Sequence, residues 1–284
     1  MDTETTTPLS PFDYLDPAAP AGMVCNTSSV YHADLDVPSS SMLKTILVSP
    51  AHLMADLTRR RHSKAMDWGT ALHALVLEPA SAMEAIAICP DPMTTARGKA
   101  FAAANEDRVV LSMAEWLELQ VAAQIVLNSE FRGRPFYRYV EEGKVEHSIY
   151  YTDPTTGIRC RTRPDLFHPE FTFDLKSTRY NSAGSFQRDA VDLHYDLQAF
   201  MYSYARVQLE GGATQPKPFV FIPVESQSPH TVYFRPAGEN FLANGARKYV
   251  KALSLYAACS KVDHWPTKGA ELEMDLLPWQ EFRE

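Results

Sequence analysis

The sequence predicts a single domain of mixed α/β class. Short alternating strands cluster in the middle of the chain, and amphipathic helical patterns precede and follow them. No interior stretch has the composition of a linker or of a repeat. The 284 residues, of which 45% are hydrophobic, are enough to bury a substantial core.

The net charge of −8 is unevenly distributed along the chain. Residues 1–43 contain six acids and no Lys or Arg, and residues 271–284 contain five acids and one Arg. Residues 44–270 therefore carry a net charge of +2. An acidic total argues against nucleic acid as a partner, but the slightly basic body of the chain removes that objection.

The start of the chain is acidic and rich in proline. We expect residues 1–30 to be a flexible segment and residues 31–284 to form the domain. The N-terminus lacks the pattern of a signal peptide, and no stretch approaches the ~20 apolar residues of a membrane span. The four cysteines form no CxxC pair, so a disulfide framework is not expected and a reducing cytoplasm fits best.

Three helical patterns occupy the first half of the chain. Serines at positions 39–41 can cap a helix predicted over residues 42–57. Residues 68–77 form a short, mostly apolar helical pattern that Pro79 stops. Residues 112–127 begin with a capping box and continue as an amphipathic helix.

Strands follow in the middle of the chain. Residues 146–152 and 158–163 alternate between apolar and polar side chains, and a turn at residues 153–157 joins them. Residues 171–176 form a third predicted strand. The remaining predicted elements are a helix, two strands and a final helix, at residues 186–209, 219–222, 231–234 and 239–259.

The third strand carries the clearest chemical signal. Its alternation places Asp174 and Lys176 on one face, so a carboxylate and an ammonium point into the same space. Asp165 ends the preceding segment, and a hairpin would bring it beside Asp174. Two converging carboxylates suit Mg²⁺, and a neighbouring lysine can orient or deprotonate water for attack on a phosphodiester.

A surface ion pair is the alternative interpretation of an acid-x-Lys triplet, because exposed pairs are common and contribute little. A second triplet at residues 142–144 lies in a polar, Gly-containing turn and is most simply a solvated loop. The triplet at Asp174 differs, since it lies in an apolar alternating strand downstream of Pro164 and Asp165. These flanks favour a chemical role.

Arginines alternate along the second strand. Arg159, Arg161 and Arg163 share one face if the alternation persists. This row, called the arginine rail below, either binds a phosphate backbone, which arginine contacts bidentately, or is a solvated face whose charge balances nearby acids.

Two earlier segments are further candidates for DNA contact. Ser41 and Lys44 lie at the start of the first helix, where free N–H groups and a positive dipole favour phosphate, although an ordinary N-cap is the slightly simpler explanation. Arg59 and Arg60 belong to a basic cluster that either contacts a DNA backbone or forms a solvated loop.

Two sets of residues have both a core interpretation and a site interpretation. Tyr195, Gln198 and Tyr202 share one helix face at spacing i, i+3, i+7, which is also the spacing of core aromatic residues. His73 lies in an otherwise apolar segment and is either a satisfied core histidine or an additional metal ligand.

Taken in order, these residues resemble the PD-(D/E)xK nuclease superfamily in its RecB-like branch. More closely, the chain resembles the exonuclease VIII (RecE-type) nuclease domain over roughly residues 30–280. The matching segments are residues 31–52, 69–79, 160–165, 174–178, 195–202, 219–225 and 277–279. Several motifs in the right order are more specific than any one of them.

The resemblance implies a fold and an activity. The expected fold is a restriction-endonuclease-like core, a mixed central β-sheet flanked by helices, with added N-terminal helices. The expected activity is degradation of linear double-stranded DNA from an end, in the 5′-to-3′ direction, for recombination or repair. The resemblance also implies a single-strand annealing protein as partner, homo-oligomers, and the cytoplasm of a bacterial or phage-infected cell.

The same resemblance implies a metal site. Asp165 and Asp174, with the backbone carbonyl of Leu175, would bind two Mg²⁺ ions, for which Mn²⁺ can substitute. His73 would ligate or flank the metal, and Lys176 would position the attacking water. No iron–sulfur cluster is expected, because some relatives hold one with an early cysteine and three late ones, and the late region here has only Cys259.

Further residues of the matching segments are expected to support the site or contact DNA. Gln198 and Tyr202 would support the catalytic site and the DNA strand. Ser177, Thr178 and Tyr195 are candidate DNA contacts.

Two alternative functions remain open at this point. An endonuclease or junction resolvase could be built on the same core. A non-catalytic DNA-binding recombination scaffold could retain the fold, although the intact set of Asp165, Asp174 and Lys176 argues against it.

Overall fold

The computed structural model describes residues 21–58, 64–179, 182–211 and 216–267. Within these ranges the helices are α1 (Ser28–Ala33), α2 (Ser40–Val48), α3 (Pro50–Thr58), α4 (Lys64–Leu77), α5 (Ala82–Ala85), α6 (Ala96–Ala104), α7 (Met113–Asn128), α8 (Phe136–Glu142), α9 (Ala183–Asp192), α10 (Tyr195–Leu209) and α11 (Glu239–Val262). The strands are β1 (Ala21–Val24), β2 (Ile86–Cys89), β3 (Val109–Ser112), β4 (Glu130–Phe131), β5 (Arg134–Pro135), β6 (Lys144–Val145), β7 (Ser148–Thr152), β8 (Arg159–Thr162), β9 (Leu166–Phe167), β10 (Thr172–Thr178), β11 (Phe219–Glu225) and β12 (Arg235–Pro236).

A five-stranded mixed sheet, ordered β12-β11-β10-β9-β6, forms the centre of the fold. β10 and β11 run parallel, and the other neighbouring pairs are antiparallel. A second, antiparallel sheet has the order β1-β7-β8, and β2-β3 and β4-β5 form two separate pairs. The predicted α/β class, with a mixed central sheet flanked by helices, is confirmed.

Apolar side chains cover both faces of the central parallel strands. Phe173 and Leu175 of β10 belong to a cluster with α4 and α7 on one face. Phe219 and Phe221 of β11 pack with α10 and α11 on the other face. A one-residue slip of β10 would carry Asp174 and Lys176 into the apolar cluster of Phe173 and Leu175, so the register of the pair is fixed. Asp174 lies opposite Phe221 in that register and therefore faces α10.

α11 holds the first turn of α10 in place. The side chain of Asp196 is fully buried and lies 2.8 Å from Lys248 Nζ, and it also accepts a hydrogen bond from Asn244. The two helices approach so closely at Gly245 that a Cβ there would lie 2.0 Å from the carbonyl oxygen of Asp196. A glycine is therefore required at this crossing.

The helix predicted over residues 42–57 is two helices, α2 and α3. Ser49 separates them in an extended conformation, with φ −166° and ψ 158°. The ring of Pro50 clashes with a helical conformation of the residue before it, which explains the break. The prediction of one continuous helix was wrong for this reason.

The helix predicted over residues 186–209 is also divided, into α9 and α10. His194 lies between them in the left-handed region, at φ 54°. Neither Gly nor Pro marks this position. Lys248 Nζ lies 3.0 Å from His194 Nδ1 and 3.3 Å from the carbonyl of Val191, so contacts with α11 fix the break.

The predicted hairpin forms, with shorter strands. β7 begins at Ser148, because Glu146 adopts a left-handed conformation with φ 51° and cannot continue a strand. Gly157 takes a positive φ of 69° in the turn, as the turn pattern predicts. Residues 231–234 form only a bridge at Val232, and β12 takes the edge position instead.

Ordered structure begins before the predicted boundary at residue 30. β1 pairs with β7, with Ala21 opposite Tyr151, and α1 begins at Ser28. Residues 1–20 of the predicted flexible segment lie outside the described residues.

All four cysteines lie in the described part of the chain and are free, Cys25 exposed and the other three buried. Among the described helices, none combines the length and the apolar character needed to cross a membrane.

Candidate active site

Asp165 and Asp174 meet at the centre of the molecule. Leu166 of β9 pairs with Phe173 of β10, so Asp165 lies beside Asp174, as the hairpin argument predicts. Asp165 Oδ2 accepts a hydrogen bond from the backbone N–H of Leu175 at 2.5 Å. Asp165 is 8% exposed and Asp174 is 1% exposed. Two buried carboxylates on neighbouring strand positions repel each other and require positive partners.

Lys176 supplies one of those partners. Its Nζ lies 2.5 Å from Asp174 Oδ2. Burial disfavours the ammonium, but the charges of Asp174 and Asp165 outweigh burial and raise the pKa of Lys176 above its usual value. Lys176 is therefore a cation at neutral pH.

The helix face of Tyr195, Gln198 and Tyr202 points toward this pair. Gln198 Nε2 donates to Asp174 Oδ1 at 2.7 Å. The ring centre of Tyr195 lies 5.1 Å from Lys176 Nζ, and Tyr202 is buried at the wall of the cleft described below. The structure thus brings all three residues to the site rather than to an unrelated part of the core.

His73 of α4 approaches from the opposite side. Its Nε2 lies 3.0 Å from the carbonyl oxygen of Leu175 and 3.6 Å from Asp165 Oδ2. Its Nδ1 lies 3.9 Å from Glu146 Oε1. Burial disfavours a charged imidazole, but the two carboxylates outweigh burial and raise the pKa of His73 to about 9.

Glu146 is a site residue that the sequence analysis missed. Its carboxylate lies 2.5 Å from Arg163 Nε, which fixes it beside His73. His73, Glu146 and Asp165 each offer one ligand atom, and these atoms all lie within 4.8 Å of one another. The sequence pattern placed Glu146 at the start of a strand, and its left-handed backbone conformation has no sequence signal.

The donor set fits a hard divalent cation. Asp174 Oδ2 is buried, and its partner among the described residues is the ammonium of Lys176 at 2.5 Å. Burial, together with the charge of Asp174, raises the pKa of Asp165 to about 7 despite the nearby His73. Carboxylates crowded in this way are stabilised when a cation joins them. Asp165, Asp174, His73 and the carbonyl of Leu175 are the groups that would hold it.

A cleft of about 1610 Å³ lies over these groups. This volume exceeds the roughly 300–1,000 Å³ of a typical small-molecule pocket. Its walls include the predicted site residues Ser41, His73, Arg161, Arg163, Asp165, Leu175, Lys176, Ser177, Tyr195 and Tyr202. The cleft can therefore admit a large substrate to the carboxylates.

The predicted arginine rail is not formed as an exposed row. Arg161 is 2% exposed, donates to the carbonyl oxygen of Asp34 and lies 4.6 Å from the ring centre of Tyr31. Arg163 is paired with Glu146. Tertiary partners, which strand alternation does not reveal, engage both guanidinium groups at the cleft wall. Arg159 is the exposed member of the row.

The start of α2 has an ordinary cap. Ser39 accepts a hydrogen bond from the backbone N–H of Met42, which is the simpler of the two interpretations of this segment. Ser41 is exposed at the cleft. Lys44 points away from the helix start and donates to Gln198.

The remaining candidate DNA contacts are spread around the cleft. Ser177 lines the cleft near the end of β10, and Thr178 is the last residue of that strand. Arg59 and Arg60 lie outside the described residues.

The central sheet and the carboxylate–lysine arrangement define a protein of the PD-(D/E)xK nuclease superfamily. The sequence matches the family described as "PDDEXK-like domain of unknown function (DUF3799)" over residues 39–275. Because this match covers most of the chain, the protein belongs to that family.

One solved structure supports the fold. It comes from Eubacterium rectale, is named "Putative exonuclease", and superposes with a TM-score of 0.60 at 14% sequence identity. The likeness covers 89% of this chain and 97% of the other. No curated protein matches the sequence significantly.

Proposed function

We propose that the protein is a metal-dependent exodeoxyribonuclease that degrades linear double-stranded DNA from an end, in the 5′-to-3′ direction, as the exonuclease VIII resemblance implies. The observation that carries this proposal is the convergence of Asp165, Asp174 and Lys176 under one large cleft, which Asp165 and Lys176 line. Such an arrangement suits phosphodiester hydrolysis by water.

Asp165, Asp174, the carbonyl of Leu175 and His73 would hold Mg²⁺, with Mn²⁺ as a substitute. A divalent cation bound there supplies Lewis acidity, which lowers the pKa of water and stabilises charge on the phosphate. Glu146 faces Nδ1 of His73 and orients the ring so that Nε2 faces the carboxylates.

Lys176 would position the attacking water. Its raised pKa keeps it protonated, so it acts as a hydrogen-bond donor to the water and to the developing negative charge, and not as the base. Gln198 restrains Asp174 through Oδ1 and leaves Oδ2 directed toward Lys176 and the cation site.

The cleft would receive the DNA. Ser41, Ser177 and Tyr195 lie on its walls and can contact the phosphate backbone or stack against a base. We assign recombination or repair as the setting, with a single-strand annealing protein and further copies of the chain as partners.

Linear and covalently closed duplex DNA distinguish this proposal from its alternatives. With Mg²⁺ or Mn²⁺, the protein is expected to shorten an end-labelled linear duplex and to leave a closed circle intact. A matched duplex lacking the 5′ phosphate shows whether the end group matters. Cleavage of the circle would indicate an endonuclease or junction resolvase, and no cleavage of either DNA with either metal would indicate a non-catalytic scaffold.

A further inference from the structure

A lysine of α2 lies behind the proposed site. Lys44 Nζ donates to Gln198 Oε1 at 2.8 Å, and Gln198 Nε2 donates to Asp174 Oδ1 at 2.7 Å. Lys44 Nζ also lies 4.8 Å from the ring centre of Tyr195. One chain of contacts therefore joins α2 through α10 to a carboxylate of β10.

Lys44 and Asp174, the residues on either side of Gln198 in this series of hydrogen bonds, both require the same orientation of the Gln198 amide. The carboxylate of Asp174 can only accept hydrogen bonds, so it requires the amide nitrogen. The ammonium of Lys44 can only donate, so it requires the amide oxygen. With Lys44 removed, the oxygen side of Gln198 loses the partner that opposes a flip or a rotation of the amide.

Lys44 is half-buried, and its ammonium is directed to Gln198. The walls of the cleft include Ser41 and Thr45 of α2 but not Lys44.

We propose that Lys44 is a positioning residue that sets the amide of Gln198 and, through it, the carboxylate of Asp174 for cation binding and catalysis. This inference rests on the proposed function of the same site. It replaces the sequence-based expectation that Lys44 contacts a DNA phosphate directly.

A double-mutant cycle on the full chain tests this proposal. The variants are Lys44→Met, Gln198→Met and their combination, with Lys251→Met, an exposed lysine of α11, as the matched control. The two measurements are the Kd for Mn²⁺ by titration calorimetry, and kcat and KM on a linear duplex at several salt concentrations.

Lys44→Met is expected to weaken Mn²⁺ binding and to lower kcat by about 10- to 100-fold, as loss of a supporting partner of a metal ligand typically does, with KM nearly unchanged. The double variant is expected to lose no more than Gln198→Met alone. Lys251→Met is expected to match the unmodified protein in both measurements. Lys44→Arg keeps a donor toward Gln198 and is expected to recover most of the Mn²⁺ affinity.

The proposal would be overturned if the fold-losses of Lys44→Met and Gln198→Met multiplied in the double variant, because the two residues would then act independently. A raised KM with a weaker salt dependence would also overturn it, because those are the effects of a lost phosphate contact. Thermal unfolding shows whether Lys44→Met folds. If it does not, the Lys44→Arg variant alone tests the proposal, and a loss of Mn²⁺ affinity in Lys44→Arg would contradict it. The Mn²⁺ titration needs no DNA cleavage, so failure of the nuclease function is distinguishable from failure of the Lys44 role.

Discussion

Replacement of Asp174 by Asn is expected to lower the rate of DNA hydrolysis by about a thousandfold or more, while the fold persists. Asn has the shape of Asp and still accepts a hydrogen bond from Gln198, but it removes the charge that pairs with Lys176 and would bind the cation. Metal assistance contributes several kcal/mol to phosphodiester hydrolysis, and about 1.4 kcal/mol corresponds to a tenfold change in rate.

The comparison requires initial rates on linear duplex with Mg²⁺, measured beside thermal unfolding of each variant. Asp192→Asn, at an exposed position of α9, is the matched control and is expected to retain the full rate. A folded Asp174→Asn protein that digests DNA normally would exclude Asp174 from the catalytic site.

Replacement of Arg206 by Met is expected to lower the free energy of unfolding by about 2–4 kcal/mol, because buried acceptors lose their donor. Arg206 is 1% exposed and donates to the carbonyl oxygens of Phe171 and Pro169 and to the hydroxyl of Thr172. Met fills much of the volume but removes the donor to the Pro169 carbonyl and the Thr172 hydroxyl, whereas the Phe171 carbonyl keeps the N–H of His168 and Glu210 keeps Lys217.

Urea denaturation measures this change directly. Arg247→Met, on the exposed surface of α11, is the matched control and is expected to change stability by less than about 0.5 kcal/mol. A loss below about 1 kcal/mol for Arg206→Met would mean that the acceptors around it find other partners, so that Arg206 is not the anchor between α10 and the segment that leads into β10.

The centre of the site was predictable because it depends on short-range periodicity. Strand alternation places Asp174 and Lys176 together, and a hairpin of nine residues brings Asp165 beside them. Helical spacing groups Gln198 with Tyr202, and the structure brings this face to Asp174.

Two supporting residues were not predictable in their roles. Glu146 meets His73 only through the tertiary fold and a left-handed backbone conformation. Lys44 reaches Gln198 across 154 positions in the chain, so its sequence context suggested a phosphate contact at the helix start. Contacts of this kind depend on how helices cross the sheet, which local patterns do not specify.

The two helix breaks, at Ser49 and His194, also differ in whether the local sequence predicts them. Pro50 makes the break at Ser49 readable from the sequence by the rule for residues before proline. The break at His194 has no such signal, because contacts with Lys248 stabilise its left-handed conformation.

The proposed cation site between Asp165 and Asp174 is tested most directly by anomalous scattering from a crystal of the protein soaked in Mn²⁺. The expected result is a peak in contact with both carboxylates and the carbonyl of Leu175, within reach of Nε2 of His73. A protein that digests linear DNA in Mn²⁺ but shows no peak at these groups would contradict the proposed mechanism.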